Sequence, residues 1–173
     1  MSDNEISLHP GDEVRVDRGF YHHHGMFIGG GVVVQFGGQI KDKPRASIRQ
    51  AFVADFSKGA QVKVVEHEQL DRAAAVRRAM WLLENPPPAT YHLFGYNCEH
   101  VARWCATGKI ESCQAKDAFT VNTFVGGGLL LLVEHPHGLL IGLLQLLVGL
   151  FLAWLSRSST RKFEEHVHAN WRG

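Results

Sequence analysis

Apolar and polar residues alternate over Glu13-Val14-Arg15-Val16-Asp17, just after Gly11-Asp12, which predicts a strand. Two apolar stretches follow, His23–Ile28 and Val32–Phe36, separated by Gly29-Gly30-Gly31. Apolar segments on either side of a glycine turn predict a β-hairpin. Gln61–Val65 predicts a further strand. The period changes at Asp71–Glu84 (DRAAAVRRAMWLLE), where helical spacing brings Val76, Met80 and Leu83 onto one face. Asp71 suits the N-cap and Pro86-Pro87-Pro88 ends that helix. A second helix is predicted from near Cys98 to Gly108, a natural residue to follow a helix end. No repeat is visible, and the mixture predicts an α+β fold, a small antiparallel sheet packed with helices.

The apolar residues are densest further on. Phe124 to Leu155 reads FVGGGLLLLVEHPHGLLIGLLQLLVGLFLAWL, without Lys or Arg, and Gln145 is the one polar side chain of Leu139–Leu155. As a helix those 17 residues would be about 26 Å long, slightly short of a hydrocarbon core of roughly 30 Å. Trp154 followed by Arg157, Arg161 and Lys162 is the aromatic-then-basic order of a lipid interface. The pattern predicts a membrane segment over residues 124–156 with a transmembrane helix, a globular domain over 7–123, and a short polar and basic tail over 157–173 with His166 and His168 solvated. Glu134-His135-Pro136-His137-Gly138 interrupts the run, so a hairpin and a single tail anchor are both open. Either keeps the domain on the cytoplasmic side.

Composition narrows the picture. Eighteen Lys+Arg against 17 Asp+Glu in 173 residues leave a net charge of +1, which argues against a nucleic-acid partner bound through bulk charge. A hydrophobic content of 45% excludes wholesale disorder. Three cysteines and no apolar run among the first 20 residues predict reduced thiols in a cytosolic compartment.

Asn97-Cys98-Glu99-His100 sits where loop becomes helix. With Asn97 as N-cap, Cys98 falls in the first turn, where the helix dipole favours its thiolate and unbonded N–H groups can meet an oxyanion. The alternative from the residues alone is a small buried hydrophobe. Cys105, seven residues on, lies on nearly the same helical face and is expected in the core, while Cys113 has no evident role. A nucleophile needs a base, and Tyr21-His22-His23-His24 offers three, with His23 on one strand face and its neighbours on the other. His22 and His24 lack a second ligand pair, so neither a metal nor a cofactor is expected. His100 points away from Cys98 and reads as structural.

Together these stretches resemble the lecithin:retinol acyltransferase family of permuted papain-like (NlpC-type) thiol enzymes. Gly11-Asp12-Glu13-Val14 is similar to its opening strand, and His23-His24-Gly25-Met26-Phe27-Ile28-Gly29 to its histidine strand. Asn97-Cys98-Glu99-His100 matches its nucleophile motif, with Val101 where an aromatic residue is common, and Ser112-Cys113-Gln114 echoes a later one. The resemblance runs from Gly11 to the tail, and a hydrophobic C-terminal anchor also fits it.

Carried over by position, it makes Cys98 the nucleophile and His23 the general base. The family's usual second histidine lies twelve positions after the first, and here that position is Gln35. A Gln carbonyl can still hold one imidazole nitrogen, although it cannot titrate. Tyr21 and Asn97 are expected to support the site, Tyr21 as a donor to the oxyanion. The implied activity is thioester-mediated acyl transfer from a glycerophospholipid to water, an amine or a hydroxyl, on a membrane surface. The alternatives are a cysteine peptidase or amidase on the same fold, and a non-enzymatic membrane module.

Overall fold

The computed structural model describes residues 7–37, 47–68, 70–87, 97–110 and 136–173. The alternating segment forms β1 (Glu13–Asp17), and the two apolar stretches form β2 (His22–Gly29) and β3 (Val32–Gly37). Their turn needs glycine, since Gly29, Gly30 and Gly31 have φ of 97°, 60° and 73°. With β4 (Ser47–Phe52) and β5 (Val62–Val65) they make one antiparallel sheet, ordered β4-β3-β2-β1-β5. The helices are α1 (Val53–Ser57), α2 (Arg72–Glu84), α3 (Cys98–Thr107) and α4 (Pro136–Asn170). The described residues are thus α+β, with a small antiparallel sheet and several helices.

Strand alternation sorts the core into two. On one face Val14, Val16, Phe27 and Val33 enclose Phe56 of α1. On the other, Met26, Val34, Phe36 and Ile48 pack with α2 and α3. Gly25 is where the sheet is tightest: a Cβ there would lie 2.4 Å from Val33 Cγ1 and 3.1 Å from Phe56 Cε2.

Helix α2 begins as expected, with the Asp71 carboxylate accepting from Ala74 N at 2.9 Å. Its buried face is different. Ala74, Ala75, Ala79 and Leu82 point inward, whereas Met80 is exposed. The alanines let α2 come close to its neighbours, which longer side chains would prevent. Neither β4 nor α1 was legible. Ile48 is the one buried residue of edge strand β4, and α1 has five residues, too short to show a period.

The larger correction concerns the tail. Among the described residues no helix is long and apolar enough to cross a membrane, so the transmembrane helix expected over 139–155 is not supported. The 17-residue apolar run falls short of the ~20 residues a crossing needs, and α4 continues past it through Arg157, Arg161 and Lys162 to Asn170. Nor is the end of the chain a solvated appendage. Phe163 and Val167 are buried with the α2–α3 core, Trp104 meets the Phe163 ring at 5.8 Å, and Trp171 lies 5.4 Å from Trp81. His166, expected in solvent, is half-buried: Nε2 donates to Asn85 O at 3.0 Å and the ring lies 5.6 Å from Trp81. His168 is exposed.

Candidate active site

The nucleophile candidate is positioned by its cap. Asn97 is extended (φ −132°) and buried, and its Oδ1 accepts from Glu99 N at 3.0 Å and His100 N at 3.1 Å. His100 Nδ1 donates to the same oxygen at 2.9 Å, which makes that histidine structural. Cys98 is thereby held as the first residue of α3, where the dipole favours negative charge. The cap also corrects one expectation: two first-turn N–H groups foreseen as oxyanion donors already bond Asn97.

The buried Cys98 Sγ lies 3.8 Å from the carbonyl oxygen of His22, the first residue of β2. The next residue is His23, whose Nε2 and Gln35 Oε1 are 2.6 Å apart. A carbonyl oxygen only accepts, so the proton sits on Nε2 and Nδ1 carries the lone pair. The hairpin register explains the contact, since Gln35 pairs with Gly25 and so shares a sheet face with His23. Phe56 covers the imidazole at 5.2 Å. Burial lowers the pKa of His23 from 6.5 to about 4; the Gln35 bond pulls upward, and the charges of Arg18, His24 and Arg49 pull downward. At neutral pH His23 is an uncharged base. Arg18 is itself fixed, donating to Ser57 O at 3.0 Å and Phe56 O at 2.6 Å.

The structure therefore joins His23 to Gln35 through their side chains, and brings Cys98 to the backbone one residue away. His22 ends the β1–β2 ladder opposite Asp17, so thiol and imidazole both sit at the rim of the sheet. Tyr21 lies half-buried just before β2. Burial pushes the Cys105 thiol far up, out of the reactive range. Ser112, Cys113 and Gln114 lie outside the described residues.

A second polar cluster escaped the sequence reading. Glu13 is fully buried, with Oε1 accepting from His24 Nδ1 at 2.7 Å and Oε2 from His67 Nε2 at 2.8 Å. Burial raises the Glu13 pKa, but the hydrogen bonds and charges of the two histidines outweigh it and leave the carboxyl below its ordinary 4.5. Glu13 holds a polar position of the β1 alternation, out of phase with Val14 and Val16, and is buried because the second face of the sheet is covered too; His67 comes near only through the β1–β5 pairing. Beside it Asp12 accepts from His9 N at 2.8 Å and Arg72 Nη2 at 2.7 Å, tying the start of β1 to α2. Among the described residues no group of three His, Cys, Asp or Glu side chains is disposed to hold a metal ion.

A thiol at a helix N-terminus and an amide-held imidazole thus share one rim of a small antiparallel sheet, the residue types that a thiol nucleophile and its base require. The family model described as lecithin retinol acyltransferase matches residues 6–111, more than half of the chain, and the chain belongs to that family. Membership points to acyltransferase- or hydrolase-type chemistry. No curated protein matches the chain.

Proposed function

We propose that this protein is a membrane-associated phospholipid acyl hydrolase or acyltransferase of permuted papain-like fold that works through a Cys98 thioester, with its catalytic domain on the cytoplasmic side. The observation that carries this reading is the pairing of His23 Nε2 with Gln35 beside the strand residue that meets the Cys98 sulfur. It supports a base whose Nδ1 lone pair is available at neutral pH. Catalytic hydrogen bonds are often long before substrate binds and shorten in the complex.

The Cys98 sulfur gives its proton to His23 Nδ1 and attacks an ester carbonyl of a glycerophospholipid. The carbonyl π pair moves to oxygen, which accepts a hydrogen bond from Tyr21. Collapse breaks the bond to the lysolipid oxygen, and that alkoxide takes the proton back from His23. Water, an amine or a hydroxyl then attacks the thioester, His23 accepts its proton, and Cys98 leaves as the thiolate. Gln35 keeps the imidazole in one tautomer throughout.

Intact-mass spectrometry of the full chain after incubation with phosphatidylcholine vesicles tests this. The expected result is a mass increase of one acyl chain, removed by hydroxylamine and missing from Cys98→Ala. Neither adduct nor lysolipid at any lipid composition would overturn the lipid reading, and peptide substrates would come next.

A further inference from the structure

Helix α4 has two halves that belong to different surroundings. In the first, Leu144, Leu147, Phe151 and Trp154 lie along the middle of an exposed apolar arc, with Leu146 and Val148 at its edges. At about 100° per residue that arc spans about 200° of the helix. A protein groove covers a stripe nearer ~100° wide, so an arc of this width suits a lipid phase better than a partner surface. Phe151 and Trp154 stack at 6.0 Å, and the outward face then turns basic at Arg157, Arg161 and Lys162, all exposed. Apolar, then aromatic, then basic is the order met on passing from hydrocarbon through headgroups to water.

In the second half the opposite face is held by the domain. Phe163 and Val167 are buried against it, His166 donates to Asn85 O, and Trp171 contacts both Trp81 and Trp104. The end of α4 is thus on the same side of the basic band as the catalytic domain. From its first residue, Pro136, to Trp154, α4 measures about 27 Å along its axis, short of a ~30 Å core.

We infer that α4 dips into a bilayer from the side on which the domain lies and does not emerge on the other, its C-terminal third being clamped to the domain. The clamp sets the depth of insertion and keeps Cys98 at the surface that holds its substrates. This inference rests on the membrane-surface reading proposed above, and it decides between the hairpin and the single span that the sequence leaves open.

The full chain, tagged at each end, is floated on vesicles of phosphatidylcholine with about 30% phosphatidylserine, an anionic surface that attracts basic segments, and treated with protease from outside. Both tags should be removed at equal rates. Protection of the C-terminal tag alone, relieved by detergent, would overturn the inference while leaving the membrane reading intact; failure to float would overturn the membrane reading itself. Brominated phosphatidylcholine should quench wild-type tryptophan emission, and Trp154→Phe should remove that quenching. Quenching unchanged in Trp154→Phe would place the contact elsewhere. Trp171→Ala should speed digestion of the C-terminal third severalfold without loss of flotation, and unchanged digestion would refute the clamp. A vesicle-free dimer abolished by Leu147→Glu would assign the arc to a second copy of the chain and overturn the lipid assignment.

Discussion

His23 and His24 are neighbours in one strand, yet they occupy different chemical worlds. The His23 ring faces Gln35 and Phe56 on the α1 side of the sheet. The ring of His24 faces the Glu13 carboxylate on the side of α2 and α3. An amide acceptor orients an imidazole without adding charge, so burial decides its titration and His23 stays neutral down to about 4. A carboxylate acceptor binds an imidazole by charge as well as geometry, and the two histidines hold Glu13 ionised in the interior. One residue of strand therefore separates an imidazole kept neutral from a polar tie between strands.

Exchanging the two roles would break the comparison most severely. His23→Ala should lower Cys98-dependent acyl transfer by about 10²–10⁴-fold, the range for loss of a general base. His24→Ala should leave most of that activity in whatever fraction folds. Equal losses in folded protein, measured by initial rates, would show that the two histidines are not separated in function. Stability should follow the opposite order. Glu13→Ala leaves two buried imidazole N–H groups unpaired and should cost about 2–4 kcal/mol in urea unfolding. Gln35→Ala, with one such group at a half-buried ring, should cost about 1 kcal/mol.

Gln35→Glu would give His23 the surroundings of His24. Its pKa should rise from about 4 toward or above 6.5, read by NMR titration of the ring protons. The acid stability of the wild type follows from the same values. His23 takes up a proton near 6.5 when unfolded and near 4 when folded, so its contribution is whole above that window and falls as pH drops through it. Glu13 acts in the same sense further down, its contribution lost as pH falls from about 4.5 through its lowered folded value. Gln35→Glu should therefore flatten the loss between 6.5 and 4 in urea midpoints and steepen the lower limb, where the new carboxylate, held ionised by the imidazolium, must be protonated. The smallest effect is expected at Gly37, where an added Cβ would lie 3.2 Å from His23 Cε1. Gly37→Ala should tilt the ring against Gln35 and slow turnover by a few-fold, with little change in unfolding midpoint.

Much of the architecture was legible because local patterns suffice for it. The alternation of β1, the glycine turn of the hairpin, the Asp71 cap and the Asn97-Cys98 helix start are encoded within a few residues each. His23 and Gln35 were legible too, because both lie on one hairpin and its register relates them. The buried face of α2 was not, since a run of alanines gives no contrast in hydrophobicity. Glu13 was hidden for another reason. Its partners are 11 and 54 residues away, and nothing local distinguishes a buried carboxylate from an exposed one in a strand.

The tail shows the same division. That residues 139–155 are apolar, and that aromatic and basic residues follow them, can be read directly from the chain. Where the helix goes afterwards cannot. Phe163, Val167 and Trp171 look like minor apolar points in a charged segment until Trp81 and Trp104, on two other helices, supply the surface that buries them. Helix starts, turns and a cysteine beside its cap depend on neighbours in sequence and are written there. That Glu13 is shared with His67, and that Trp81 and Trp104 bury the last third of α4, depend on contacts between distant segments, and those exist only once the sheet and its helices have assembled.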